Sequence, residues 1–235
     1  MNAEKQILRD LINCHLCTSA RPREFFVAWS GVITLAYQGF TPSLLSIKQE
    51  IEKTIPGLIP ENPGSAWAKT TLGCLKDDKQ LSFNSLFKLR KICSRFNQRI
   101  QKENISFDVR QLDFVVFQCR SLEKRLITSP ISLDVNRYDQ SDPERDHIEK
   151  IVNPIMSQFH ESRLTEYFPY VMRSGNRESH YRDTHIESTL VFDLPMNQPL
   201  YIAEFIEEVN HKLFDIYCWF NSESRHITIR SLTST

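Results

Sequence analysis

The chain opens with Ile7, Leu8, Leu11, Ile12 and Leu16 at spacings of one to four residues, which predicts an amphipathic helix over 3–17. Arg21-Pro22-Arg23 ends it. Val32-Ile33-Thr34-Leu35-Ala36-Tyr37 is mostly apolar and rich in β-branched residues, and Gly39 closes it; this predicts a largely buried strand. A helix start follows at Thr41-Pro42, a capping residue and a first-turn proline, with a stripe of Leu44, Ile47, Ile51 and Ile55 that stops at Pro56-Gly57. Beyond a loop over 56–64, the stretch from Trp67 to Leu75 alternates. Trp67, Lys69 and Thr71 fall on one face, and Ala68, Thr70 and Leu72 on the other. A second helix is predicted from Leu86, Leu89, Cys93, Phe96 and Ile100, capped by Ser82, and then paired strands at Ile105–Val109 and Phe114–Cys119.

The pattern weakens between Thr128 and Thr184, where prolines scatter, charge is dense from Asp139 to Lys150, and two short helical pieces fall near Ile148 to Phe159. Its Tyr, Phe, Ile and Val content argues for an elaborated connection rather than a disordered one. Regularity returns with a strand over Ser188–Leu194, a helix with the stripe Ile202, Phe205, Ile206, Val209 and Leu213, a strand over Phe214–Phe220, and an alternating strand over Arg225–Leu232. In that last strand His226, Thr228 and Arg230 are expected on one face.

The order strand, helix, strand occurs twice, which predicts an α+β fold of two similar sheet-and-helix lobes with a cleft between them. The boundaries fall near 21–127 for lobe one, 128–185 for the central connection and 186–235 for lobe two, within a single bilobal domain.

Charge changes this picture little. The 29 basic and 29 acidic residues balance, so no global field draws the protein to nucleic acid or an anionic membrane. No apolar run approaches the length of a membrane span and the first residues do not resemble a secretory signal, so a cytoplasmic protein without a membrane partner is expected. The six cysteines lie mostly singly in apolar stretches, as buried thiols do in a reducing compartment. Cys14-His15-Leu16-Cys17 lacks the second ligand pair a zinc site needs, and its cysteines are expected on the first helix; no metal and no cofactor is predicted. With six glycines, there is no P-loop, dinucleotide fingerprint or serine nucleophile elbow.

Two lobes, each bearing a polar-x-Thr strand, resemble the two-histidine (2H) phosphoesterase superfamily, the LigT-like fold. Arg225-His226-Ile227-Thr228-Ile229-Arg230 is similar to its second His-x-Thr motif, and the first motif would fall on Lys69-Thr70-Thr71-Leu72-Gly73. The resemblance implies a bilobal fold of two antiparallel sheets related by a pseudo-two-fold axis, with helices packed outside and a cleft between, and a metal-independent hydrolase of cyclic phosphates or phosphodiesters. Its partner would be a small phosphorylated ligand or an RNA end rather than DNA, and nothing in the pattern points to an oligomeric state. In such chemistry a neutral imidazole takes a proton, a protonated group gives one to the leaving oxygen, and hydroxyls hold the phosphate oxygens.

Lysine stands where the first histidine is expected. The implied catalytic set is therefore His226, Thr228, Lys69 and Thr71, with Arg230 as a second cation. Trp67, on the face of Lys69, is a candidate to stack a flat ligand. His180-Tyr181-Arg182-Asp183-Thr184-His185 is the most ionisable-rich patch, from which His185 or His180 would supply an imidazole and Arg182 an anion clamp; a solvated loop is the alternative. The run Arg120 to Arg125 is expected to be a solvated turn or helix end. Three functions stay open: a phosphoesterase, a non-catalytic nucleotide- or RNA-binding module, and an enzyme of different chemistry built on the Lys69 amine.

Overall fold

The computed structural model describes residues 2–58, 60–61, 63–195 and 201–233. Parts of the predicted 56–64 loop, and residues 196–200 and 234–235 of the second predicted lobe, lie outside them. The protein is a mixed α+β fold with antiparallel sheets flanked by helices.

Helix α1 (Asn2–Asn13) ends earlier than its stripe predicts, because Leu16 already belongs to strand β1 (Leu16–Ala20). Cys14 and Cys17 are accordingly not both helical: Cys14 is exposed at the helix end, and Cys17 is a buried strand residue. Then come β2 (Pro22–Val27), β3 (Ile33–Tyr37), α2 (Pro42–Thr54), β4 (Lys69–Leu75), α3 (Phe83–Glu103), β5 (Phe107–Val109) and β6 (Gln111–Phe117). The central segment continues with β7 (Arg125–Ser132) and β8 (Asp134–Tyr138), short helices α4 (Arg145–His147) and α5 (Asn153–Met156), α6 (Leu164–Val171) and α7 (Glu178–Arg182). The last elements are β9 (Glu187–Asp193), α8 (Ile202–Lys212), β10 (Tyr217–Trp219) and β11 (His226–Thr233).

Among the described residues three sheets result, ordered β5-β1-β8, β10-β4-β3-β2 and β11-β9-β6-β7. Strands from the two ends of the chain share sheets: β10 pairs with β4, and β6 pairs with β9. The predicted pairing of Ile105–Val109 with Phe114–Cys119 does not form. β5 joins β1 instead, leaving β6 free for the sheet of β9 and β11.

The buried core runs from these sheets into the helices. All five residues of β3 are buried, as expected of a strand covered on both sides. Phe25 of β2 stacks on Phe205 of α8 at 4.1 Å, and Phe96 of α3 meets the Phe205 ring edge-on at 5.4 Å. β2 is an edge strand, and α3 protects that edge: Phe25 N–H donates to Asn97 Oδ1 at 2.7 Å and Asn97 Nδ2 donates back to Phe25 O at 3.3 Å. Ser82 caps α3 as its sequence implies, accepting from Ser85 N–H. Thr41 makes no side-chain cap on α2; its hydroxyl accepts from Thr18 inside the core. No helix among the described residues is long and apolar enough to cross a membrane.

A candidate active site between strands β4 and β11

Lys69 and His226 are the first residues of their strands, and β4 and β11 run against each other. Strand alternation then puts Thr71 and Thr228 on the faces of Lys69 and His226. Ser65, Trp67, Lys69, Thr71, His226 and Thr228 line one cavity of about 50 Å³. That is room for roughly three or four waters, or for one tetrahedral oxyanion.

Burial shifts both ionisable groups of the cavity toward their neutral forms. His226 Nδ1–H donates to Ser224 O at 2.6 Å, which leaves Nε2 as the lone-pair nitrogen. Burial pushes the imidazole below its ordinary range, and Arg125 and Lys69 add to this, against the Ser224 bond and the Asp193 carboxylate. The ring is a neutral base at neutral pH. Burial, helped by the Lys48 ammonium and opposed by Glu61, brings Lys69 down to about 8. Its Nζ donates to Gly64 O and sits 4.5 Å from the centre of the Trp67 ring. Trp67 is only 6% exposed and also meets Phe26 edge-on, so it forms the wall behind the lysine rather than an open stacking surface.

Behind the cavity lies a buried lysine that the sequence reading did not single out. Lys48 of α2 donates to Ile229 O of β11 at 2.7 Å and to Ser65 O at 3.1 Å, and pairs with Glu61. It ties the 61–65 segment, one wall of the site, to the β11 backbone. The available signal was its position: Lys48 falls four residues after Leu44 and three before Ile51, on the apolar face of α2.

Arg230 does not share the cavity with His226 and Thr228. The register slips between Thr228 and Arg230, a bulge that breaks the alternation. Arg230 is 1% exposed and donates to Ser231 O. A different arginine approaches His226. Its register partner Asp193 is held by Arg125 through two bonds of 2.5 and 2.7 Å, and buried Asp113 lies near enough to Asp193 for its own carboxyl to be pushed up by burial and by that neighbour. The predicted solvated run Arg120 to Arg125 is thus largely structural: Arg120 pairs with Glu187, and Glu123 with Arg182.

The ionisable patch behaves differently from expectation. Arg182 is held by Glu123, Glu178 and Trp219 O, and so is no anion clamp. His185 lies beside Glu187, at the far end of β9 from Asp193, and His180 contacts Arg120. The patch member nearest the site is Tyr181, whose phenol is pushed up by burial. Comparisons with protein-family models, with curated proteins and with solved structures find no match to this chain.

Proposed function

We propose that the protein is a metal-independent phosphoesterase, a divergent relative of the two-histidine phosphoesterases, acting on a cyclic phosphate or phosphodiester of a nucleotide or RNA end. The observation that carries this reading is the convergence of Lys69, Thr71, His226 and Thr228 on one oxyanion-sized cavity. Strand order supports the kinship: β3, α2 and β4 correspond to β9, α8 and β11, and β2 beside β3 corresponds to β6 beside β9. The two halves would be related by a pseudo-two-fold axis passing between Lys69 and His226, with the cavity on the floor of a cleft.

In this mechanism the Thr71 and Thr228 hydroxyls hold two non-bridging phosphate oxygens. His226 Nε2 takes a proton from water as its oxygen bonds to phosphorus. The bond from phosphorus to the leaving oxygen breaks, and Lys69 gives that oxygen a proton. A lysine near 8 is protonated at neutral pH yet acidic enough to donate, which an ordinary surface lysine is not. Lys48 positions the wall.

A binding-only module is the second reading, favoured by the bond that already engages Lys69 with Gly64 O. One assay separates the two. Turnover of a panel of 2′,3′-cyclic nucleotides and 2′-5′ oligonucleotides, lost on His226→Ala by roughly 100-fold or more, supports the enzyme. Binding of the panel without turnover selects the module, and turnover intact in His226→Ala removes the mechanism.

A further inference from the structure

Away from the cavity, the turn between β2 and β3 carries a cluster that the mechanism does not use. Trp29 is 47% exposed and Tyr170 of α6 is 37% exposed, two neighbouring aromatic side chains open to solvent. The two rings stack at 5.5 Å with 22° between their planes, and Trp29 Nε1–H donates to Gln158 Oε1 at 3.2 Å. The turn that projects Trp29 is itself fixed in an uncommon shape. Ser30 at φ 60° and Gly31 at φ 77° are both left-handed, a conformation a serine adopts only when its surroundings impose it. Arg177 imposes it in part by donating to Ser30 O at 2.5 Å.

Charge distinguishes this patch from an ordinary protein-binding surface. The Arg173 guanidinium lies 4.5 Å from the Tyr170 ring centre and 5.0 Å from that of Trp29. Among the described residues neither Arg173 nor Arg177 has a carboxylate partner. The nearest acid along α6, Glu166, is engaged by Arg163, and Glu178 by Arg182. The Arg173 guanidinium thus lies against an open aromatic face, and Arg177 sits at the turn that carries Trp29. The cluster is joined to the candidate site through the core, not across the surface: Trp67 of the cavity wall meets Phe26, Phe26 meets Tyr167, Tyr167 stacks on Tyr170, and Tyr170 on Trp29, with Phe26 and Tyr167 both 2% exposed.

We propose that Trp29, Tyr170 and Arg173 form a base-stacking subsite for a single-stranded oligonucleotide, in which an unpaired base lies on the Trp29 ring and Arg173 and Arg177 meet the adjoining phosphates. This deepens the proposed function on which it rests, since it makes the ligand an oligonucleotide rather than a mononucleotide, with Trp29 beyond the end of the β3–β4 ladder opposite Lys69. Aromatic faces accept any base, and the arginines contribute a salt-sensitive term.

The test is anisotropy of a fluorescein-labelled octauridylate titrated with the full chain, alongside inorganic phosphate binding to the cavity followed through the His226 proton resonances. The octamer is expected to bind, and to bind roughly 10-fold more weakly to Trp29→Ala and Arg173→Ala while Trp29→Phe keeps most of the affinity. Phosphate binding is expected to be unchanged in all three variants. Equal octamer affinity in wild type, Trp29→Ala and Arg173→Ala overturns the subsite, as does an octamer that does not bind while phosphate does, which leaves the proposed function standing. Absence of phosphate binding with the octamer still bound at Trp29 strikes the proposed function alone. If Trp29→Ala instead abolishes self-association measured by sedimentation and leaves octamer affinity intact, the face belongs to a second copy of the chain and the proposal is wrong.

Discussion

Replacing His226 by Asn separates the burial of the imidazole from every other contribution to acid sensitivity. The asparagine amide can still donate to Ser224 O, as His226 Nδ1–H does, so the turn before β11 keeps its bond. What disappears is a titrating group whose folded-state value is held below 6.5 by burial. Such a group binds fewer protons folded than unfolded. Its stabilising contribution is complete above the unfolded value and is lost as the pH falls below it toward the folded value. Between pH 6.5 and 5.5 the largest possible loss, for a ring that stays neutral when folded, is about 1 kcal/mol, and the slope at lower pH approaches about 1.4 kcal/mol per unit. His147 and His180 are pushed down by burial in the same direction, but they are present in both proteins and cancel in the difference. Urea unfolding at pH 7.5, 6.5 and 5.5 reads it directly. The wild type should lose up to about 1 kcal/mol more than His226→Asn over the lower interval. Parallel pH dependences would refute the buried, neutral histidine.

Further outcomes follow from the same geometry. With His226 required neutral and Lys69 required protonated, the rate should rise with pH through the depressed His226 value and fall above about 8, and an alkaline limb near the ordinary lysine range would remove Lys69 as the acid. Arg125 depresses the His226 value and Asp193 raises it, so NMR titration should move the imidazole upward in Arg125→Gln and downward in Asp193→Asn; no movement in either would place the pair outside its electrostatic reach. Phe205→Ala, which empties the stack between Phe25 and Phe96, should cost about 3–5 kcal/mol and lower the Tm by roughly 10 °C in a thermal melt, and a loss under about 1 kcal/mol would mean that this core relaxes freely.

Much of this was legible in the chain. The strand at Ile33–Tyr37, helix α3 with its Ser82 cap, and the paired polar-x-Thr strands all follow from periodicity and capping chemistry. β2 escaped because it begins with proline and carries Arg23 and Glu24, a composition an edge strand tolerates and a central one does not. β7 and β8 escaped because most of their residues are exposed, and only the last four residues of β7, which include Pro130, alternate. The site was legible where strand parity holds and failed where it breaks: the bulge before Arg230 sends that side chain into the interior, and no residue type in Thr228-Ile229-Arg230 announces it. Lys48, Asp193 and Tyr181 depend on contacts between elements distant in sequence, which periodicity does not encode.

The central claim is that Lys69, Thr71, His226 and Thr228 make one site for a phosphoryl group. A crystal structure with orthovanadate, which takes the five-coordinate shape of phosphoryl transfer, tests it most directly. The account predicts vanadium in the β4–β11 cavity, its oxygens within about 3 Å of His226 Nε2, Lys69 Nζ and both threonine hydroxyls. An empty cavity at saturating vanadate, or vanadate bound elsewhere, would contradict it.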